Sequence, residues 1–506
     1  MTKHFPRTAL LTTVLTLASL AGAQGTTLTL ALPVDIPGFD TQNASTTASE
    51  TVYTNMFDRL MFFDAAGKLR PALATSYKQI NDTTMQLNLR RNVKFHNGDA
   101  FTAADVKFTL ERGARDAKLF VNDTLKDIKT VKVINDHTVQ IVTAGPDPVL
   151  LNRLSRRGTE ILPSKYLNKV GWTEFNKKPI GTGPFKFNSW KRDDRVVLDI
   201  NASYWRGKPA WTQLVVRAIP EEATRVNELL TGGVDIAVDI PSQDVKRIRA
   251  NSKVEVVTQP TSRVMMFAFN MEKDSATSNE KLRAAIDYAI DRKLLIDTVM
   301  GGYGTPVAAR VTQGVRDAPL SYYKKSVYDP KKAAQMLKEA GYRPGQLTIT
   351  LQGPKGRYPQ DAEILQTVGA MLQAVGINTK IETLEWSAYN SRIWDAGKVT
   401  NMGMIGVANS MMDGWFALRT LPCKGTYSNI THWCNPTFDK ALDQASSSLD
   451  RVQRAALLRQ AYAIVASERP MISLFQVHSL IGINKRVDWQ PRADEVLWMY
   501  EAKPVK

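Results

Sequence analysis

A short glycine- and proline-bearing segment, Lys178-Pro-Ile-Gly-Thr-Gly-Pro-Phe-Lys-Phe187, separates two blocks of different character. Pro184 bars helix continuation, and Gly181 and Gly183 are expected to take backbone angles closed to other residues. Phe185-Lys-Phe187 then alternates as a strand with one buried face. From about residue 55 up to this segment the chain reads as one unit, and beyond it lie two apolar strand candidates, Val196–Ile200 and Leu214–Ile219. On these residues alone two readings stand. The segment is either a tight turn before an edge strand or the point where the chain re-enters a lobe it left earlier.

The first residues speak to compartment. Lys3 and Arg7 precede the apolar run Ala9–Ala21, and Ala21-Gly-Ala23 fits a small-residue cleavage site. Residues 1–23 are therefore expected to be a cleaved export signal, with Gln24 the first mature residue. The run is too short to span a bilayer comfortably, and it holds no Cys that could carry a lipid. The product is expected in the periplasm or cell-envelope space. The remaining chain is too long for one core, so two or three lobes are expected. Formal net charge is +17, of which the leader carries two. No Arg/Lys run with interleaved aromatics, zinc-finger spacing or RNA-recognition signature accompanies it, which argues a scattered basic surface and no nucleic-acid partner. In an oxidising compartment Cys423 and Cys434 are expected to be bridged. Two cysteines do not complete a tetrahedral metal site, and their spacing is not Cys-x-x-Cys.

Catalytic motifs are absent. There is no Gly-x-Ser-x-Gly, no His-Glu-x-x-His and no Walker loop, and Gly301-Gly302-Tyr-Gly304 lacks dinucleotide spacing. His96 has no second His at metal spacing and reads as a satisfied loop histidine. No catalytic residue, metal site or cofactor is expected.

Periodicity outlines an α/β chain. Thr26–Leu32 alternates as a strand, Ala48–Leu60 reads as a helix, and the loop Asp35–Thr41 between them is a candidate cleft segment. Asn97-Gly98 marks a turn, Thr102 with Asp105 forms a helix cap, and Val131–Ile134 with Thr138–Val142 forms a hairpin. A helix is framed by Pro220 and Gly232, and Val234–Ile240 alternates as a strand. Leu347–Leu351, Ala362–Val375 and Thr379–Leu384 give strand–helix–strand order, hence parallel strands.

Several stretches resemble one family almost letter for letter. They are Leu69-Arg-Pro-Ala-Leu-Ala74, Val93-Lys-Phe-His-Asn-Gly-Asp-Ala-Phe-Thr-Ala-Ala-Asp-Val106, Pro179–Phe185 with Asn201-x-x-Tyr204-Trp205, and Cys423 to Trp433-Cys434. The chain resembles the extracellular solute-binding proteins of the peptide and nickel type, family 5, most closely the dipeptide-binding branch. The resemblance implies a periplasmic-binding-protein-like type II fold, a two-lobed α/β clamshell with an additional inserted domain. Lobe I would comprise 24–58, 180–268 and 480–506, the inserted domain 59–179, and the third lobe 269–479, with two crossing strands as the hinge. It implies a monomeric, non-enzymatic receptor that hands a di- or oligopeptide to the permease subunits of an ABC importer. Nickel chelates, oligosaccharides and opines use the same fold, and a secreted hydrolase is the remote alternative.

The resemblance also suggests a ligand set. Arg357, in the loop with Tyr358, matches an Arg that receives the ligand carboxylate. Asn409 stands where the branch has an Asp for the ligand amine, and Asp413 is a nearby acidic substitute. Trp386, Tyr389, Trp415 and Trp433 are candidate pocket aromatics, Trp415 foremost, and the Cys423–Cys434 bridge would hold the third lobe beside the cleft.

Overall fold

The computed structural model describes residues 26–43, 46–395 and 397–505, so the expected export signal lies outside the described residues. Among these residues an eleven-stranded mixed sheet forms the spine. Its order is Ile377–Glu385, Leu347–Lys355, Met402–Ala408, Val254–Phe269, Met471–Asn484, Ile236–Ala237, Thr27–Leu32, Gln213–Ala218, Arg195–Ile200 and Phe185–Lys191, with Gly304–Pro306 beside Met471–Asn484.

Two strands in this sheet are long, and they run antiparallel to each other. Val254–Pro260 pairs with Asn484–His478, and Val264–Ala268 pairs with Gln476–Met471. Between Pro260 and Val264 the ladder is interrupted. Side chains take over there: Gln476 Nε2 donates to Thr261 O at 2.6 Å, and Thr261 Oγ1 donates to Val477 O at 2.9 Å. On one side of the interruption lies a core that includes Leu30, Phe39, Phe185, Trp211 and Ile483. On the other side two cores cover the sheet faces, one around Phe267, Ile349, Leu365 and Leu474, the other around Met266, Ile405, Leu458 and Tyr462. The alternation of Val264–Phe269 splits its side chains between these two cores, as a strand covered on both faces must.

A second, four-stranded antiparallel sheet takes the order Ala74–Asn81, Thr84–Leu89, Thr138–Thr143, Ile128–Asn135. Helix Ala103–Arg115 covers it and shares its core through Val106 and Leu110 against Leu87, Val131 and Ile141. The expected cap is present: the Thr102 amide donates to the Asp105 carboxylate at 2.9 Å. The strand–helix–strand unit is parallel as expected, Leu347–Lys355 pairing with Ile377–Glu385 around helix Asp361–Ala374.

The glycine segment differs from expectation in an instructive way. Neither Gly181 nor Gly183 has a positive φ. Close approach requires them instead: a Cβ on Gly181 would stand 2.1 Å from Met56 O, and one on Gly183 2.5 Å from the Met56 carbonyl carbon. The Gly183 amide donates to Met56 O at 2.9 Å. Consistently, the helix expected over Ala48–Leu60 covers only Thr47–Met56 and gives way to extended Phe57. His96 bridges the same segment. The Gly181 amide donates to its Nδ1 at 3.1 Å, and its Nε2 faces Gly183 O at 3.1 Å, which fixes the neutral tautomer. Burial pushes this imidazole down to about 4. The strand expected over Val234–Ile240 shrinks to Ile236–Ala237, because Asp239 turns to φ 53° and Arg225 takes the carbonyls of Val238 and Asp239. Cys423 and Cys434 are bridged.

Candidate binding site between the two sides of the sheet

Arg357 sits at the end of strand Leu347–Lys355, before helix Asp361–Ala374. The Asp361 carboxylate gathers the amides of Gly356, Arg357 and Tyr358 at 3.2, 2.9 and 3.1 Å, which fixes the loop. The guanidinium lies 5.0 Å from the ring centres of both Tyr358 and Trp386, and these rings meet edge-on at 6.2 Å. Tyr358 donates its hydroxyl to Gly406 O at 3.3 Å. Arg263, from the interrupted stretch of the long strand, donates to the same carbonyl at 3.3 Å and pairs with Glu495 at 3.3 Å. Among the described residues no carboxylate stands within ion-pair distance of Arg357, which is exposed.

Two carboxylates face this region. Glu495 holds the Arg263 guanidinium more firmly protonated. Asp239 is exposed, yet the protein packed around it pushes its carboxyl up, in the field of Arg225, Glu495, Arg263 and Arg357. Asp239 and Glu495 both take left-handed backbone angles, φ 53° and 63°, an uncommon setting for non-glycine residues that gathers at functional sites. Two guanidiniums and two carboxylates thus meet beside the break between Pro260 and Val264. A patch of this kind matches a ligand that carries charges of both signs.

Asp413 and Asn409 are engaged otherwise. The Asp413 side chain is fully buried and pairs with Arg454 at 2.7 and 3.0 Å and with Arg316 at 3.3 Å. It also caps helix Gly414–Leu418 by accepting the Trp415 amide at 3.0 Å. Asn409 Nδ2 donates to Asp413 O at 2.9 Å, and its Oδ1 accepts the Asp413 amide at 3.3 Å. Together they shape the loop and leave no spare acidic charge there. Trp415 is half-buried with the Arg153 guanidinium 5.5 Å from its ring. Tyr389 and Trp433 are core residues, bonded to Met404 O and to the Glu468 carboxylate respectively. Trp386 is half-buried beside Arg357.

The loop after Met402–Ala408 touches the segment that follows the four-stranded sheet. Asn152 Nδ2 donates to Met411 O at 2.8 Å, Arg156 Nε to Ser410 Oγ at 3.1 Å, and Arg316 Nη2 to Pro148 O at 2.9 Å. Gln360 Nε2 donates to Gln243 Oε1 at 2.8 Å on another border. The two sides of the sheet are therefore closed upon each other. A residual cavity of about 60 Å³ remains between them, lined by Asp58, Arg59, Arg156, Ser410 and Trp498 among others. An open recess of about 820 Å³ flanks the disulfide and includes none of the residues around Arg357.

Sequence reasoning reached Arg357 and Trp386 but not Arg263, Asp239 or Glu495. None of the three falls in a motif, and Glu495 lies 232 residues from the Arg263 it pairs with, beyond any local signal. The left-handed Asp239 has one trace in sequence, the Asp-Ile-Pro after the alternating run.

Fold and site together define a bilobal solute-binding protein whose two sides share a sheet through two long strands. The profile of bacterial extracellular solute-binding proteins, family 5, middle region, matches residues 68–429, and the chain belongs to that family. It is 28% identical over 459 residues to the glutathione-binding protein GsiB of Escherichia coli K12, covering 88% of each chain. It is also 28% identical over 457 residues to GsiB of Pectobacterium atrosepticum, again with 88% of each chain covered. The structure superposes on the periplasmic binding protein DppA of Helicobacter pylori in complex with the peptide STSA, with TM-score 0.80, 26% identity and coverage of 95% and 98%. NikZ of Campylobacter jejuni in complex with Ni(L-His) gives TM-score 0.81 at 22% identity over 94% and 99% of the chains, a likeness of fold. The chain is accordingly a substrate-binding protein of the ABC-transporter type, not an enzyme. No described helix is long and apolar enough to cross a membrane.

Proposed function

We propose that this protein captures a short peptide or peptide-like solute between its lobes and presents it to the permease of an ABC importer. The observation that carries this reading is Arg357, a guanidinium 5.0 Å from two aromatic ring centres with no carboxylate at ion-pair distance among the described residues. Arg357 is exposed, so its fork of N–H donors is open to a ligand carboxylate, which it would meet with charge-assisted hydrogen bonds. Across the break in the ladder Asp239 supplies the negative charge that a ligand ammonium needs, while Glu495 is paired with Arg263 and Asp413 with Arg454. The GsiB and DppA likenesses support the same class, since GsiB is named a glutathione-binding protein and DppA was solved in complex with the peptide STSA. In this reading lobe I comprises 24–58, 180–268 and 480–506, the inserted domain 59–179 and the third lobe 269–479. Residues 1–23 direct export, and the mature protein works as a monomer in the envelope space.

Native mass spectrometry of protein purified from its host, followed by titration calorimetry with di- and tripeptides and glutathione, tests the assignment. Retained or added peptides are expected to bind. Arg357→Ala is expected to weaken them by about 2 kcal/mol, roughly thirtyfold, with no change in Tm. A single retained non-peptide mass, with no peptide binding, overturns it.

A further inference from the structure

The small cavity between the two sides of the sheet is walled by arginines of two kinds. It holds about 60 Å³. A water takes about 30 Å³, so the carboxylate end of one side chain fits. Arg59 and Arg492 belong to the wall and are answered internally. Glu50 and Glu160 hold Arg59 at 2.9 and 2.6 Å, and Asp494 and Glu501 hold Arg492 at 2.8 and 3.1 Å. Asp58 also lines the cavity, and its oxygens accept Thr182 Oγ1, Tyr204 OH and Trp205 Nε1 at 2.9, 2.8 and 2.9 Å. Arg156 and Arg206 are of the other kind. Arg156 is 7% exposed and donates through Nε to Ser410 Oγ at 3.1 Å and through Nη1 to Thr124 Oγ1. Arg206 is half-buried, and its Nε is sealed from solvent with no acceptor. Among the described residues neither guanidinium has a carboxylate at ion-pair distance. A buried guanidinium without an anion is expensive, and natural interiors almost always pair one.

The cavity adjoins the charged patch around Arg357 along two stretches of chain. Asp494 and Val496 line it, and Glu495 between them pairs with Arg263 at 3.3 Å. Arg263 in turn shares Gly406 O with the Tyr358 hydroxyl, each at 3.3 Å. Ser410, also in the wall, follows Gly406 by four residues, a span of at most about 14 Å. An extended tripeptide covers about 10 Å of main chain before its side chains are counted. One short peptide therefore reaches both places. The wall also offers apolar surface: the Arg206 guanidinium lies 4.3 Å from the Phe62 ring centre and 5.2 Å from that of Trp498.

We propose that this cavity is a second anion subsite, in which Arg156 and Arg206 receive a side-chain carboxylate of the ligand, so that the preferred solute is a short peptide carrying Glu or Asp. This rests on the peptide reading above and sharpens it: Arg357 takes the main-chain carboxylate and the cavity takes the other. Phe62 and Trp498 pack the methylenes of that side chain. Closure joins Arg156 to Ser410 across the two sides, so the second carboxylate is enclosed where charge-assisted hydrogen bonds are strong.

The experiment titrates trialanine peptides carrying one Glu, at the first, second or third position, into the full mature protein, each against its Gln counterpart. At one position the wild type is expected to bind the Glu peptide at least tenfold more tightly. Arg156→Met is expected to bring that ratio within threefold of unity, whereas Arg357→Met weakens both members of the pair and keeps the ratio. Should Arg156→Met fail to fold, Arg206→Met provides the same comparison, with a ratio at least threefold smaller than that of the wild type expected. Equal binding of Glu and Gln peptides at all three positions, or an undiminished ratio in the folded variant, overturns the subsite alone. Binding of none of the six peptides overturns the peptide reading and the subsite with it.

Discussion

Asp413 shows how a residue's neighbours decide its work. Its carboxylate is enclosed with Arg454, itself 1% exposed at the side chain, and Arg454 also contacts Asp317. Removing one partner of such a pair strands the other, so Asp413→Ala is expected to lower stability by about 3–5 kcal/mol. Denaturant unfolding measures this. Peptide affinity of the surviving folded fraction is expected to stay within threefold, and a large affinity loss at unchanged stability would instead make Asp413 the amine receptor. The sequence could not separate these roles, because Arg454 lies on a different helix. Arg357 was singled out because its loop resembles a known ligand loop. His96 was read correctly as a satisfied loop histidine, and it has a pH consequence. The unfolded chain takes up a proton near the ordinary value of 6.5, whereas the native imidazole resists until about 4. The unfolded state therefore binds more protons between these values. The stabilisation is complete above pH 6.5 and is lost as pH falls toward 4, by roughly 3 kcal/mol. Urea titrations at pH 7 and pH 4.5 are expected to show a smaller acid loss in His96→Gln than in the wild type.

At the scale of elements, periodicity located most strands and helices, and it failed where tertiary contacts override local preference. Val234–Ile240 alternates as a strand should, yet only two residues join the ladder, because Arg225 claims the carbonyls that would continue it. Thr47–Met56 stops early because Met56 O turns to the Gly183 amide. The glycine segment was singled out from sequence for backbone freedom, and the structure gives a different cause, crowding against the Met56 carbonyl. That distinction is testable. Gly183→Ala keeps an ordinary φ but sets its methyl against backbone atoms that cannot swing aside. A loss of about 3 kcal/mol is expected by thermal or urea unfolding. A neutral outcome would show that the helix end yields easily.

For the whole molecule, the family likeness implied two bodies joined by crossing strands, and the sheet contains two such strands. Their pairing spans more than two hundred residues of sequence, beyond any local signal. Contacts such as Asn152–Met411 and Gln360–Gln243 are those of a closed form. Bending at the interruption between Pro260 and Val264 would separate them without unpairing either flank of the ladder. Small-angle scattering is expected to give a larger radius of gyration for ligand-free protein than for protein saturated with a tight peptide. Equal radii would mean that the lobes do not move.

The interruption carries a further consequence. Thr261 and Gln476 hold the strands together by side chains where the backbone ladder lapses, and those bonds can swivel. Discharge of the cargo at the permease then asks only that a few torsions relax. The grip on the solute and the durability of the scaffold become separate quantities, so either can drift in evolution without spoiling the other.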